Sequence, residues 1–221
     1  MTAREPQPQR AIPFRAAARE IAEISKEFYF RGWVLGTSGN FSAVVRREPL
    51  RLAITASGLD KGRVAPSQIV EIDASAKVLR GAPRKASAEA LIHLAIVRER
   101  GAGAVLHTHS ICGTILSETH AGQGAVALQG YEMLKGLEGV HSHEHTERLP
   151  IVENSQNMEE LSAQIGGVLT ARPEIHGLLL RKHGLYTWGA TLREAKRHVE
   201  IIEFLMEVLV RSGSAGIGVK I

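Results

Sequence analysis

Three histidines stand where strands of a sheet would present them. His107 and His109 follow the apolar run 104–106 directly, and residues two apart in a strand point to the same face. His183 follows a second apolar run and precedes Gly184, which would permit a close backbone approach. Catalytic zinc usually takes three protein ligands and leaves one position for substrate. The pattern therefore predicts a zinc site held by His107, His109 and His183.

A second group of histidines alternates in the same way. His141, His143 and His145 form the segment H-S-H-E-H, but polar residues surround them and no apolar run precedes them. We interpret this group as a solvated loop, which needs no metal to be stable. Cys112, a soft ligand in principle, is interpreted as a small buried apolar residue.

An acid or base must accompany such a metal, and two glutamates are candidates. Glu89 lies near the start of a predicted helix, and Glu132 lies in the segment GYEM. A positioned carboxylate is a common proton donor and acceptor in catalysis. The spacing alone does not place either residue at the site, so both remain candidates.

Two polar turns could bind a phosphate group. The segments 37–40 (TSGN) and 55–58 (TASG) each follow a strand-like stretch, and Lys61 comes shortly after the second. Hydroxyl groups, exposed backbone N–H groups and a cation are the partners that a phosphate takes. The two turns predict an anion-binding surface near the metal.

Helices and strands alternate along the chain and would carry these turns. A first amphipathic helix follows Pro13 and ends before Gly32, and the segment 32–45 predicts a short strand, a glycine-rich turn and a second strand. A further helix runs from Ser87, a plausible N-cap, to about residue 100. This mixture predicts a layered α/β fold.

The second half of the chain gives the clearest helical signals. A helix from Met158 to Thr170 has Asn157 as its N-cap. The last helix begins with Thr191 and Glu194 at capping-box spacing. Two strands flank His183 between these helices.

Composition narrows the function classes. The chain has 221 residues, which suits one domain of residues 13–211 between a loose N-terminal tail at 1–12 and a C-terminal tail at 212–221. One cysteine cannot form an intrachain disulfide, and no apolar run approaches the length of a membrane span. The net charge of +4 is scattered rather than clustered. We expect a cytoplasmic enzyme that contacts neither nucleic acid nor membrane and accepts an anionic metabolite.

Six motifs taken together resemble the class II aldolase and adducin-head family. They are GTSGNFS, TASGLDKG, ASAEALIH, AVLHTHS, GYEMLKGL and RKHGLYTWG, and the likeness runs from about Arg15 to Arg211. The resemblance implies a three-layer α/β/α fold around a mostly antiparallel sheet, and a homotetramer. It also implies one zinc ion per subunit, held by the three histidines predicted above.

The same resemblance assigns roles to further residues. It implies a phosphate pocket lined by Asn40, Ser57, Gly58 and Ser87, with Lys61 as a neighbour. In aldolases of the family the residue that matches Glu89 is the acid or base, whereas a dehydratase branch of methionine salvage uses the residue that matches Glu132. This chain has both.

The segments GYEMLKGL and HGLYTWG favour the dehydratase branch, which removes water from a methylthio-substituted pentulose phosphate. One alternative is a sugar-phosphate aldolase or epimerase of the fuculose or ribulose phosphate type. The other is a non-catalytic domain like the adducin head, which would have no reason to retain three metal ligands.

Overall fold

One mixed sheet forms the centre of the protein. The computed structural model describes residues 11–81 and 83–214, so most of both predicted tails lies outside the described residues. The described part contains nine strands: β1 (Asn40–Arg46), β2 (Arg51–Thr55), β3 (Ile69–Asp73), β4 (Val78–Arg80), β5 (Ala104–Thr108), β6 (Ala125–Gln129), β7 (Thr146–Val152), β8 (Gly177–Leu180) and β9 (Gly184–Gly189).

The strand order is β4-β3-β2-β1-β5-β9-β8-β7-β6. Neighbouring strands pair antiparallel throughout, except for the parallel pair β7 and β8. The predicted α/β fold with a mostly antiparallel central sheet is confirmed.

Helices cover both faces of this sheet. They are α1 (Phe14–Phe30), α2 (Ala90–Arg100), α3 (Ile111–Thr119), α4 (Met158–Ala171) and α5 (Leu192–Ser214). Successive side chains of a strand point to opposite faces. Thr108 of β5 bonds Glu203 of α5, whereas the preceding His107 faces Glu89 at the start of α2. Helices α2 and α5 therefore lie on opposite faces, which gives the three layers.

Packing divides the apolar core in the same way. Helix α2 packs against α4, and α3 packs against α5. Ile92 and Leu94 of α2 belong to a large cluster with Leu161 and Ile165 of α4. Leu116 of α3 belongs to a smaller cluster with α5. Within the described residues, no helix combines the length and the apolar character that a membrane crossing requires.

Local predictions were confirmed for most helices. The first helix spans Phe14–Phe30, and Asn157 caps α4 by accepting a hydrogen bond from the N–H of Glu160 at 3.3 Å. The hydroxyl of Thr191 accepts from the N–H of Glu194 at 3.1 Å, as the capping-box spacing predicts. Helix α5 continues to Ser214, three residues beyond the predicted domain boundary at 211.

Two local predictions were wrong. The segment before the first glycine-rich turn is not a strand, because the carbonyls of Trp33 and Gly36 accept hydrogen bonds from the N–H groups of His109 and Lys61 rather than from a neighbouring strand. Ser87 is not the N-cap of α2, which begins at Ala90. The intervening residues form a turn that directs Glu89 toward the histidines.

Candidate metal centre and substrate cavity

Three imidazole rings converge at one end of the sheet. His107 lies in β5, His109 follows it, and His183 lies in the turn between β8 and β9. The Nε2 atom of His109 is 2.8 Å from that of His107 and 3.1 Å from that of His183, and the Nε2 atoms of His107 and His183 are 3.4 Å apart. The structure thus brings together the three histidines singled out in the sequence.

Gly184 makes this approach possible. A Cβ atom at this position would lie 1.9 Å from the carbonyl oxygen of Thr108, a distance that no side chain tolerates. The glycine lets β9 run close to β5 and brings His183 beside the two histidines of the other strand. The turn that carries His183 is held by Ser117, whose hydroxyl accepts from the N–H of Lys182 at 3.0 Å.

The hydrogen bonds of the rings suit metal ligation. Nδ1 of His107 lies 2.9 Å from the carbonyl oxygen of Leu185. A carbonyl only accepts, so Nδ1 carries the proton and the lone pair on Nε2 points into the cluster. Metal-binding histidines characteristically donate their second N–H in this way. Converging lone pairs repel one another unless a cation lies between them, and this donor set therefore fits a divalent metal.

The surroundings keep the rings neutral. Burial lowers the pKa of His107 well below its usual range, with the neighbouring histidines adding to the effect. Burial likewise lowers the pKa of His109 to about 3, and it lowers the pKa of His183 against the opposing effect of Glu89. Neutral imidazole is the form that binds a metal.

Glu89 supplies a carboxylate to the same centre. Its Oε2 is 3.5 Å from Nε2 of His107, and its Oε1 is 3.3 Å from Nε2 of His183. Together with His109, these residues form a group whose ligand atoms all lie within 4.8 Å of one another. The carboxylate can act as a fourth ligand or as a proton carrier beside the metal.

A buried hydrogen-bond chain fixes the orientation of Glu89. The side-chain amide of Asn40 donates to Oε2 of Glu89, and its carbonyl oxygen faces Nε2 of His93. The Nδ1 atom of His93 is 2.7 Å from the hydroxyl of Ser42. Burial lowers the pKa of His93 to about 3, so the ring is neutral, with Nε2 as donor and Nδ1 as acceptor.

An open cleft of about 270 Å³ extends from the histidine cluster. All the predicted phosphate-binding residues line it beside Glu89, His109 and His183, namely Asn40, Ser57, Gly58, Lys61 and Ser87. Gly58 has a φ of +69°, a conformation that glycine adopts without strain. The cleft thus has the histidine cluster at one end and a wall of hydroxyls, amides and the ammonium group of Lys61.

Lys61 is almost fully buried beneath this wall. Its Nζ donates to the carbonyl oxygens of Thr37 and Leu59 at 3.0 and 3.1 Å. Burial lowers the pKa of Lys61 to about 8, although Asp60 and Glu89 oppose the shift. The ammonium group is fixed in place and carries one further proton for an anion in the cleft.

Glu132 lies apart from this site in the single chain. It begins a short 3-10 helix (Glu132–Gly136), its side chain is 72% exposed, and its carboxylate binds Nζ of Lys135 at 2.6 Å. It is not among the described residues that line the cleft. The ion pair with Lys135 lowers the pKa of Glu132. Within one subunit the structure therefore brings Glu89, and not Glu132, to the metal centre.

Sequence reasoning missed several residues of the site, including Asn154 and His93. Asn154 lines the cleft, and its Oδ1 is 3.3 Å from Nδ1 of His183; no spacing signal identifies it. His93 had such a signal, since it lies four residues after Glu89 and so on the same side of a helix. Of the alternating histidines, His141 and His143 are exposed, as interpreted from the sequence. The interpretation was wrong for His145, which is 29% exposed and bonds the buried Glu147.

Comparisons with known proteins agree with this geometry. The family model "Class II Aldolase and Adducin N-terminal domain" matches residues 19–210. The methylthioribulose-1-phosphate dehydratase of Sorangium cellulosum is 40% identical over 201 residues, which cover 90% of this chain and 94% of the relative. The enzyme of the same name from Methylococcus capsulatus is 41% identical over 199 residues, with 90% and 95% covered.

Solved structures share the fold at lower identity. YgbL from Escherichia coli, titled a putative aldolase/epimerase/decarboxylase, has a TM-score of 0.75 and 24% identity, with 90% of each chain covered. L-fuculose-1-phosphate aldolase from Thermus thermophilus has a TM-score of 0.72 and 23% identity, with 92% of this chain and 98% of the other covered.

Proposed function

Because this chain belongs to the class II aldolase and adducin N-terminal domain family, we propose that it is a zinc-dependent methylthioribulose-1-phosphate dehydratase. The reaction converts 5-methylthioribulose 1-phosphate to 5-methylthio-2,3-dioxopentyl phosphate and water, a step of methionine salvage. The observation that carries the proposal is the convergence of three histidine Nε2 atoms at one end of a cleft lined by serine hydroxyls, Asn40 and Lys61. Relatives with this name span nearly the whole chain.

Zinc is the metal that this donor set favours. Three imidazoles leave a coordination position for substrate, and the carboxylate of Glu89 stands at that opening. When bound, the ion acts as a Lewis acid that stabilises negative charge on the substrate oxygens next to the reacting carbon. Each subunit would hold one ion at His107, His109 and His183.

The opposite wall of the cleft positions the phosphate. Ser57, Gly58 and Ser87 offer hydroxyl and backbone N–H groups, and Lys61 adds a charge that cannot move, since two carbonyls already hold its Nζ. Asn40 connects the phosphate side of the cleft with the histidine side, because it lines the cleft and also orients Glu89. A substrate anchored by its phosphate would present C2 and C3 to the metal end, which lowers the entropic cost of reaction.

Dehydration needs a base to remove the C3 proton and an acid to give a proton to the departing C4 hydroxyl. One carboxylate can do both, because the proton taken from C3 can be returned to the leaving oxygen, and the resulting enol tautomerises to the diketone. We propose Glu132 for this role, with Glu89 as the alternative. Glu132 is outside the cleft of its own chain, so its role requires a second subunit, which the predicted homotetramer would supply.

A product assay tests the proposal. Purified zinc-loaded protein is incubated with 5-methylthioribulose 1-phosphate, and the diketone product is followed by mass spectrometry. We expect loss of one water at enzymic rates. Recovery of unchanged substrate from folded, zinc-loaded protein would refute the function.

An aldolase activity is the second candidate, favoured by the position of Glu89 beside the metal ligands. Fuculose 1-phosphate and ribulose phosphates serve as test substrates, with dihydroxyacetone phosphate as the diagnostic aldol-cleavage product. Its formation faster than the dehydration would favour this alternative. The homotetramer and the cytoplasmic location stay predictions.

A further inference from the structure

A second cluster of titratable side chains lies at the other end of β8. Strands β7 and β8 run parallel, so both begin at the same edge of the sheet. His145 precedes β7, Glu147 lies within it and His176 precedes β8, whereas His183 follows the end of β8. The four residues of β8 span roughly 13 Å. The cluster is thus separate from the cleft, and none of its members is among the described residues that line the cleft.

The three side chains meet at one carboxylate. Oε2 of Glu147 is 3.0 Å from Nε2 of His145 and 2.9 Å from Nδ1 of His176, and its Oε1 accepts from the N–H of His176 at 2.8 Å. The side chain of Glu147 is 1% exposed and that of His145 is 29% exposed. The ligand atoms lie within 4.8 Å of one another, and the group opens to solvent beside His145.

Hydrogen bonding shows that this cluster needs a positive charge. Nε2 of His176 lies 2.8 Å from the carbonyl oxygen of Glu138, which only accepts, so Nε2 carries a proton. In a neutral ring Nδ1 would then present a lone pair to the carboxylate of Glu147, and the two would repel. A proton on Nδ1 or a metal ion between the groups must remove this repulsion.

We propose that His145, Glu147 and His176 bind a second divalent metal ion, of the zinc, cobalt or nickel class. Two imidazole nitrogens and one carboxylate oxygen are ligands that these borderline-soft ions take, in preference to calcium or magnesium. The outer contacts have the form expected of a metal site, since His176 donates its second N–H to a backbone carbonyl and Glu147 accepts a backbone N–H through its other oxygen.

The function of this ion is structural. It would tie the beginning of β7 to the beginning of β8, the pair of strands whose far ends carry Asn154 and His183 of the cleft. The inference goes beyond the proposed dehydratase activity and does not depend on it, because its test counts bound metal rather than product.

Four forms of the full-length chain separate the two sites: the wild type, His109→Ala, His145→Ala and the double variant. Each is equilibrated with excess zinc at about pH 8, where protons compete only weakly with zinc for imidazole nitrogens. Unbound metal is then removed by gel filtration, and zinc per chain is measured by mass spectrometry. We expect about two ions in the wild type, about one in each single variant and none in the double variant. His141→Ala, an exposed histidine four residues before His145, is the matched control and should keep both ions.

His145 is the variant of choice because its side chain is 29% exposed, whereas replacing Glu147, which is 1% exposed, would leave both histidines without their partner. Circular dichroism checks that each variant is folded. One ion in the wild type, or two in folded His145→Ala protein, would overturn the proposal. In that event the positive charge of the cluster is a proton on His176.

Discussion

The side-chain amide of Asn40 donates a hydrogen bond to Oε2 of Glu89, so that a residue of strand β1 fixes a residue at the start of helix α2. The orientation of the Asn40 amide is not free, because His93 donates to its carbonyl oxygen and Ser42 holds the other side of that ring. A buried histidine that touches neither the cleft nor the cluster of Nε2 atoms thereby controls which way a carboxylate at the metal centre points.

This relationship makes His93 a positioning residue with a measurable effect. His93→Leu removes the donor, lets the Asn40 amide rotate and should lower kcat on the order of 10–100-fold. The change in KM should be smaller, because Ser57, Gly58, Lys61 and Ser87 of the cleft do not contact His93. His93→Gln keeps an N–H group near the position of Nε2 and should recover much of the loss. Steady-state kinetics of the two folded variants check this. Equal kcat values in both would contradict a positioning role.

Removal of the metal tests the main centre. Treatment with a chelator should abolish dehydration, and added zinc should restore it in the wild type but not in His109→Ala, which lacks one of the three convergent nitrogens. The control His141→Ala should behave like the wild type. Activity that survives complete metal removal, confirmed by elemental analysis, would argue against a metal-dependent reaction.

The convergence of His107, His109 and His183 could be predicted from the sequence because a local rule applies to these residues. His107 and His109 share a strand, so their relation follows from the two-residue repeat, and Gly184 indicates a close approach of backbones. No local rule predicts the position of Asn154. Its place beside His183 depends on the parallel pairing of β7 with β8, which joins segments distant in the sequence.

The cluster of His145, Glu147 and His176 shows a further limit of sequence-based prediction. Nothing in the spacing between residues 145 and 176 indicates that the starts of two strands lie side by side. The polar surroundings of His141, His143 and His145 suggested a solvated loop instead. The helix boundary at Ala90 also escaped local rules, because the turn before it is stabilised by tertiary contacts of Glu89 with Asn40. Topology, rather than propensity, decides these positions.

Lys61 should make substrate binding depend on pH. Burial lowers its pKa to about 8, so the ammonium group that attracts the phosphate is present below that pH and is lost as the pH rises through it. KM for the phosphorylated substrate should therefore increase above pH 8. Lys61→Met should raise KM at neutral pH about 10–100-fold, which corresponds to the loss of one charge-assisted hydrogen bond. The variant should also lack the increase of KM above pH 8. A parallel pH dependence of KM in both proteins would contradict this account.

Glu203 should make the free energy of unfolding depend on pH. Burial raises its pKa to about 7, against hydrogen bonds from Ser110 and Thr108, and its Oε2 has no hydrogen-bond partner among the described residues. The folded chain therefore holds this proton more tightly than the unfolded chain, and the stability is lost as the pH rises through about 7.

The variant Glu203→Gln removes the ionisation and keeps an acceptor for Thr108. It should be more stable than the wild type at pH 8, by at most about 3 kcal/mol, and close to it at pH 5. Chemical denaturation at the two pH values measures the difference. A stability difference that does not change with pH would contradict the role of this carboxyl group.

A mixing experiment decides whether Glu132 acts across a subunit interface. Glu132 lies outside the cleft of its own chain, exposed and paired with Lys135, so Glu132→Gln should be inactive only if a neighbouring subunit's cleft uses this residue. The variants Glu132→Gln and His109→Ala are each purified, unfolded together in equal amounts and refolded with zinc. A shared site then combines an intact histidine cluster from one chain with an intact Glu132 from the other in about a quarter of cases.

We expect the mixture to recover activity toward a quarter of the wild-type rate. A mixture of Glu89→Gln and His109→Ala should recover no activity, since both residues belong to the same cluster. Near-normal turnover of Glu132→Gln alone would assign the acid-base role to Glu89.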